Sequence, residues 1–276
     1  MNIYPSFSVI ISTYNGEKYL NECLDSVINQ ILQNIEIICI NDGSTDNSLK
    51  ILEEYAKKDS RIKIINQSNA GLATSRNRAL KIITGKYCAF VDSDDIIDEN
   101  MLFELYNYAE KNNLDMLSFS GYQFNEKEEY IDKKYWDFAY LPKNWNKQVF
   151  TYKDCLPFLH EMAVSSCLTI YKTEFIKNNN LTFPDGLVYE DNLFWTIAFT
   201  KNAKFGILNK KFYKGRLHEE SITHNWDHNF KDWIEVHKRL IKYLEEIHMD
   251  PKVIRQYKRR IIYRLKYGLK AKREKK

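Results

Sequence analysis

The sequence predicts an α/β fold, a mainly parallel sheet flanked by helices, with a helical extension at its C-terminal end. Three observations lead there. Over the first 125 residues, short and nearly continuous runs of Ile, Val and Phe alternate with amphipathic segments of helical length. Strands buried on both faces read this way, because the crossover helices of a parallel sheet cover them. Each apolar run also ends in a polar cluster, and residues 251–276 turn abruptly basic.

The elements follow in order. Residues 7–12 form the first expected strand, and 17–30 the first helix, with Tyr19, Leu20, Cys23, Leu24, Val27 and Ile28 on one stripe. Residues 35–41 form the second strand. A helix over 48–57 then starts behind Ser44, Thr45 and Asp46, which are good N-cap residues. The third and fourth strands are 61–65 and 87–91, separated by a helix over 73–83. A helix over 101–112 leads to a fifth strand at 116–119. Right-handed crossovers join such units. From about 125 to 150 the periodicity lapses, the behaviour of a binding loop or lid. Beyond it, helices are expected at 152–161, 190–200 and 227–247, and strands at 167–171 and 205–216. This organises the chain as a main domain over 1–220, in halves 1–120 and 121–220, and an extension over 221–276.

Composition narrows the class. The 276 residues are 44% apolar and 14% aromatic, with nine Gly and five Pro, which excludes collagenous or mainly disordered chains. The five cysteines form no CxxC pair, and the three inside apolar runs read as small buried hydrophobes, in keeping with a reducing cytosol. The first residues have no leader pattern, and the longest apolar runs are too short to cross a bilayer. The formal charge of +4 conceals a division. Residues 251–276 hold twelve Lys or Arg against Glu274, a net of +11, and the other 250 residues carry −7.

In an open α/β sheet, ligands bind beyond the carboxyl ends of the strands. Those ends carry Ser12-Thr13-Tyr14-Asn15, Asn41-Asp42-Gly43-Ser44, Gln67-Ser68-Asn69 and Asp92-Ser93-Asp94-Asp95. Neither GxGxxG nor GxxxxGK[ST] occurs, which argues against a dinucleotide dehydrogenase or a P-loop NTPase. Three carboxylates within four residues repel one another unless a cation compensates them. Their oxygens suit Mg2+ or Mn2+ that also carries phosphate oxygens. Alternatively, Asp94 and Asp95 cap the next helix.

These four clusters, with Asn69-Ala70-Gly71 and Ser75-Arg76-Asn77, resemble glycosyltransferase family 2 over roughly residues 7–120. The resemblance implies a GT-A fold and an inverting hexosyltransferase that uses a nucleoside-diphosphate sugar, UDP in the first instance. It implies that Thr13, Asn15, Glu17 and Ser44 line the nucleotide pocket, that Tyr14 stacks near the base, and that Asp42 accepts the N–H of uracil. Asn69 and Gly71 would bring backbone close to the nucleotide, and Arg76 would reach the diphosphate as a forked donor. Asp92 would contact ribose beside Ser93, Asp94 would coordinate the Mn2+ or Mg2+, and Asp95 would support the donor sugar or the loop. On residue chemistry alone, Asp42 is equally a turn residue before Gly43, and Arg76 a solvated helix residue.

An inverting transfer needs a general base, and the resemblance points to Glu190-Asp191, with Asp191 first and Glu190 second. Acids opening a helix also meet its dipole favourably. The segment Tyr213–His218 resembles the part of the family that closes over the diphosphate, with Arg216 as a phosphate clamp and His218 as a further metal ligand. On residue chemistry alone, His218 is a polar surface residue of a loop. Trp136 and Trp145, in the irregular stretch, are candidate platforms for an acceptor sugar, or equally aromatics that pack the loop on the domain. In the basic tail, Ile254, Tyr257, Ile261 and Leu265 recur at helical spacing, the pattern of an amphipathic helix on an anionic membrane surface. A solvated helix is the plain alternative; no nucleic-acid module accompanies the tail. The expected setting is cytoplasmic, peripheral to the inner membrane face, in bacterial surface-polysaccharide or glycolipid synthesis. The rival readings are a nucleotidyltransferase, which would normally show a Gly-rich basic loop after the first strand, and a catalytically degenerate scaffold.

Overall fold

A computed structural model describes residues 4–127, 129–131, 136, 137, 148–156, 159, 162, 164–219 and 226–274; for 226–228 and 267–274 it describes the backbone alone. Strands β1 (Phe7–Thr13), β2 (Ile35–Asp42), β3 (Ile62–Gln67) and β4 (Tyr87–Asp92) are all parallel, in the order β3-β2-β1-β4. Every residue of β2 is buried, as expected of a strand covered on both faces. The crossovers are α1 (Leu20–Ile28), α2 (Ser48–Lys58) and α3 (Leu72–Ile82). Helix α1 buries Leu20, Cys23, Leu24 and Val27 along one stripe, and α3 buries Arg76 among Ala73, Ser75, Ala79 and Leu80.

At the N-terminal end of these strands, the buried Glu36 carboxylate ties three elements together. It accepts from Ser8 Oγ (2.5 Å), Lys63 Nζ (2.7 Å), Thr84 N (2.6 Å) and Gly85 N (3.1 Å). Burial alone would raise its pKa, but the bonds from Lys63, Ser8 and Thr84 outweigh it and hold the carboxyl at about 2.

The sheet continues through β8 (Thr169–Lys172), β6 (Met116–Asn125) and β9 (Phe205–Leu217) to the two-residue β5 (Ile96–Ile97), and β7 (Tyr130–Ile131) pairs with β6. One expectation changes here. The fifth expected strand, separated from β4 by β8 antiparallel to both, runs on from Phe119 to Asn125. Ser118 and Ser120 interrupt the apolar run yet are bonded inside the sheet, to Thr169 Oγ1 (2.7 Å) and Asn209 Oδ1 (2.8 Å). The β4–β8 ladder pairs only Tyr87 with Lys172 and Cys88 with Tyr171. Beyond Cys88 the two strands part, and the 3-10 turn Ser166–Leu168 brings Cys167 up to Asp92.

The remaining helices are α4 (Met101–Asn112), α5 (Tyr152–Cys155), α6 (Thr173–Asn178), α7 (Glu190–Thr200), α8 (Trp226–Glu246) and α9 (Pro251–Glu274). Helix α5 stops well short of residue 161. Asn47, rather than Ser44, Thr45 or Asp46, takes the N-cap position of α2, while Asp46 Oδ1 accepts from Ser48 N (2.9 Å). Helix α8 packs on α7 and α9. The tail stripe also divides. Tyr257 is buried against the body and Ile254 and Ile261 are half-buried, whereas Leu265 is exposed. Off the stripe, Val253 is buried and Ile262 and Tyr263 are exposed.

Candidate active site

The loops after β1 and β2 are joined side chain to backbone. Ser44 Oγ accepts from Asn15 N (3.0 Å), and Asn15 Oδ1 accepts from Thr45 N (2.8 Å). Asp46 Oδ2 accepts from Glu17 N (3.0 Å), and Glu17 Oε2 from Asn47 N (2.8 Å). Asn15, Glu17 and Ser44 therefore hold one loop to the other, and Asn15 sits at φ 51°, a conformation asparagine tolerates. Thr13 is buried, and Tyr14 is 52% exposed beside them.

Asp42 does more than start a turn. Its carboxylate accepts from Gln67 Nε2 (2.6 Å), Ala70 N (2.8 Å) and Gly71 N (2.8 Å), fixing the Asn69–Gly71 loop above β2. Gly43 permits the approach: it lies at φ +74°, and a Cβ there would sit 2.5 Å from Asn69 N. A hollow of about 410 Å³, lined by Asn41, Gly43, Ser44, Asn66 and Ser68 among others, opens beside this loop.

Arg76 is neither solvated nor open to a diphosphate. It is 4% exposed, with Nη2 2.8 Å from Asp92 Oδ1 and Nη1 2.7 Å from Glu190 Oε1. The other Asp92 oxygen accepts from Cys167 Sγ (3.3 Å), a thiol whose pKa burial pushes up, and the Asp92 N–H donates to Tyr213 Oη (3.0 Å). Cys167 carries no signal in the sequence, since nothing local marks a thiol that a later turn brings to an acid.

Asp94 and Asp95 do not cap a helix; β5 follows them, and α4 begins at Met101. Asp95 is buried and accepts from Arg216 N (2.7 Å). Burial, with Asp94 and Asp92 nearby, raises its carboxyl well above the usual range. Arg216 is likewise enclosed rather than reaching out as a clamp. Its Nε donates to Asp94 O (3.0 Å), Nη2 pairs with Glu22 (2.6 Å), and the rings of Tyr19 and Phe124 each stand 4.6 Å from its guanidinium carbon. Tyr19 and Glu22, which the sequence shows only as helix residues, complete this clasp. Ser93 lies half-buried in the same turn.

His218 Nε2 stands 2.9 Å from Asp94 Oδ2, and its ring lies 4.9 Å from that of Tyr19. The pair offers one carboxylate oxygen and one imidazole nitrogen side by side. Among the described residues, no group of three or more His, Cys, Asp or Glu is placed to hold a metal ion. The donor set fits a divalent cation completed by phosphate and water oxygens, not a protein-only cage.

Helix α7 opens at Glu190 behind Tyr189, whose φ of 68° is unusual for an aromatic residue. The Glu190 carboxyl is raised by burial, against the pull of Arg76. Burial raises the Asp191 carboxyl to about 6, opposed by Arg76 and by the bond from Asn192 Nδ2 (2.9 Å). The two acids are thus distinguished by their partners. Glu190 is bound into the arginine pair, and Asp191 is half-buried with its oxygen bonded by Asn192.

Trp136 is seated against β6 and β9 where both carry glycine. A Cβ on Gly215 would lie 2.3 Å from its ring, and one on Gly121 3.1 Å away. Asp137 beside it pairs with Lys211 (3.2 Å). Trp136 is therefore part anchor. Trp145 lies outside the described residues.

Among the described residues, no helix is long and apolar enough to cross a membrane. The profile of glycosyl transferase family 2 matches residues 8–179. An uncharacterized glycosyltransferase of Bacillus subtilis, EpsJ, is 33% identical over 79% of this chain and 63% of its own. A poly(ribitol-phosphate) beta-glucosyltransferase of Bacillus spizizenii is 32% identical over 72% of this chain and 30% of its own. The crystal structure of S. aureus TarS 1-349 in complex with UDP-GlcNAc superimposes with a TM-score of 0.71 at 27% identity, covering 91% of this chain and 69% of that one. This chain spans less than two thirds of the length of the first curated relatives it matches.

Proposed function

This chain belongs to glycosyl transferase family 2, and we propose that it moves a sugar from a UDP-sugar to a hydroxyl of a glycan or lipid-linked glycan, inverting the anomeric carbon. The observation that carries this reading is Asp191. It stands one residue from the Asp92–Arg76–Glu190 chain, with a carboxyl poised at about 6, near the range where a general base works best. Its carboxylate takes the proton of the acceptor hydroxyl as that oxygen attacks the anomeric carbon. The bond from that carbon to the diphosphate oxygen breaks, and the electron pair leaves on UDP. Glu190 is the weaker candidate because Arg76 already engages it.

The donor end is formed by Thr13, Tyr14, the loop held by Asp42, and the Asp92–Asp95 turn. Asp94 and His218 would hold the divalent cation, Mn2+ or Mg2+. That ion, when bound, compensates charge developing on the departing diphosphate. UDP is favoured as the nucleotide because the TarS structures carry UDP and UDP-GlcNAc. A polyol-phosphate or glycan acceptor in surface-polymer synthesis is favoured by the poly(ribitol-phosphate) relative. The exposed Ile262, Tyr263 and Leu265, interleaved with Arg259, Arg260, Arg264 and Lys266, would rest on an anionic membrane surface at the cytoplasmic face.

The test is a screen of UDP-sugars for acceptor-dependent UDP release with Mn2+ or Mg2+, using the full chain and Asp191→Asn. Release by the full chain and its loss in the variant support the reading; wild-type turnover in Asp191→Asn removes the base.

A further inference from the structure

Arg76 is the charged group that joins two parts of the site, which also meet through the Phe90 and Phe194 rings. Asp92 ends β4, on the donor side, whereas Glu190 opens α7, next to the proposed base. One planar guanidinium spans both acids, at 2.8 and 2.7 Å, while the rings of Phe90 and Phe183 stand 5.6 and 5.4 Å from it. Such a seat excludes water and leaves the fork one orientation. The start of α7 needs a restraint of this kind, because Tyr189 enters it in a left-handed conformation without a side-chain cap bond.

We propose that Arg76 is a positioning residue whose fork sets the first turn of α7, and with it Asp191, in register with Asp92, so that filling the donor end steadies the base. The inference rests on the transferase reading for its consequence in turnover, but not for the coupling itself. Lysine keeps the charge yet carries a single ammonium, which cannot reproduce two diverging bonds made by a rigid fork. The groups facing Asp191 are Arg76, Glu190, Asp92, Asn192, Tyr171 and Tyr189. Arg76 is the cation among them, so its removal also changes the charge that Asp191 experiences.

The experiment uses the full chain, Arg76→Lys, Arg76→Gln and Glu190→Gln, with UDP and Mn2+ as the probe. Hydrogen exchange of the first turn of α7 is expected to slow when UDP binds the wild type, and to slow little or not at all in Arg76→Lys. In turnover, Arg76→Lys is expected to lower kcat about 10- to 100-fold, as loss of an orienting partner does, with donor KM within about threefold. Glu190→Gln, which keeps an acceptor but removes the charge at the other end of the link, should reproduce part of the loss. The double variant Arg76→Lys/Glu190→Gln should lose less than the product of the single losses. In Arg76→Gln the acid limb of the pH profile should move upward, which a purely structural role would not produce. Equal UDP protection of α7 in wild type and Arg76→Lys overturns the coupling, as does wild-type kcat in that variant. If the wild type shows UDP protection but transfers no sugar, the transferase reading fails while the coupling stands. Should Arg76→Gln not fold, Glu190→Gln carries the charge comparison with the opposite sign, its acid limb moving downward.

Discussion

His218 closes on Asp94 across 124 residues of chain, its Nε2 standing 2.9 Å from the carboxylate Oδ2. The two come together because Arg216, two residues earlier, is fastened to Asp95 and to the Asp94 carbonyl. A divalent cation would replace the hydrogen bond between them.

Asp94→Ala is therefore expected to lower kcat/KM by about 100-fold or more, a loss of several kcal/mol of charge compensation. His218→Ala should act on the same step and raise the Mn2+ concentration needed for half-maximal UDP release. A metal titration of each variant checks this; full metal-dependent activity in Asp94→Ala would remove the assignment.

The pH dependence follows from Asp191. A general base works deprotonated, and burial raises this carboxyl to about 6. Turnover is expected to rise from pH 5 to 7 with a midpoint near that value, and to flatten above it. A profile already flat at pH 5 contradicts the assignment.

Glu36 governs stability rather than catalysis. Its folded-state carboxyl is depressed to about 2, so it stabilises the fold at pH values above the unfolded carboxyl's range, and that stability is lost as pH falls toward 2. The depression corresponds to about 3 kcal/mol at neutral pH. Glu36→Gln should lower the urea midpoint at pH 7 and narrow the difference from wild type at pH 3. An unchanged midpoint at pH 7 would show that Lys63, Ser8 and Thr84 hold it with little net effect.

Gly215→Ala intrudes on the seat of Trp136. It and Trp136→Ala are each expected to raise acceptor KM several-fold more than donor KM. Equal effects on both would place Trp136 in the support of the sheet alone.

The exposed half of α9 is tested by flotation with anionic vesicles. Replacing Ile262 and Leu265 by Glu leaves the buried Val253 and Tyr257 in place. Binding should fall at least tenfold, and added salt should weaken what remains. Equal partitioning of variant and wild type would remove the membrane assignment.

The parallel half is legible in the sequence because β1, β2 and β4 are apolar runs, broken within by Ser8 and Glu36, that close on polar turns. Strand β6 beyond Phe119 is not, since Ser120, Gly121 and Gln123 carry no alternation and are stabilised by bonds from distant residues. Within the site, the acids that follow the strands stand out at once. That Arg76 and Arg216 turn inward does not, because their acids, Glu190 and Glu22, lie 114 and 194 residues away. Burial of an arginine depends on such a partner, and no local spacing encodes one.

The clasp on the acidic turn has a consequence for synthesis. A ribosome delivers Asp92, Asp94 and Asp95 early, but the Arg216 backbone that receives Asp95 follows 121 residues later. Arg76, made earlier, is the partner of Asp92, but Asp95 lacks its Arg216 partner until β9 emerges and pairs with β5. The acidic turn gains its Arg216 contacts late, and a chain interrupted before β9 has the parallel strands without them.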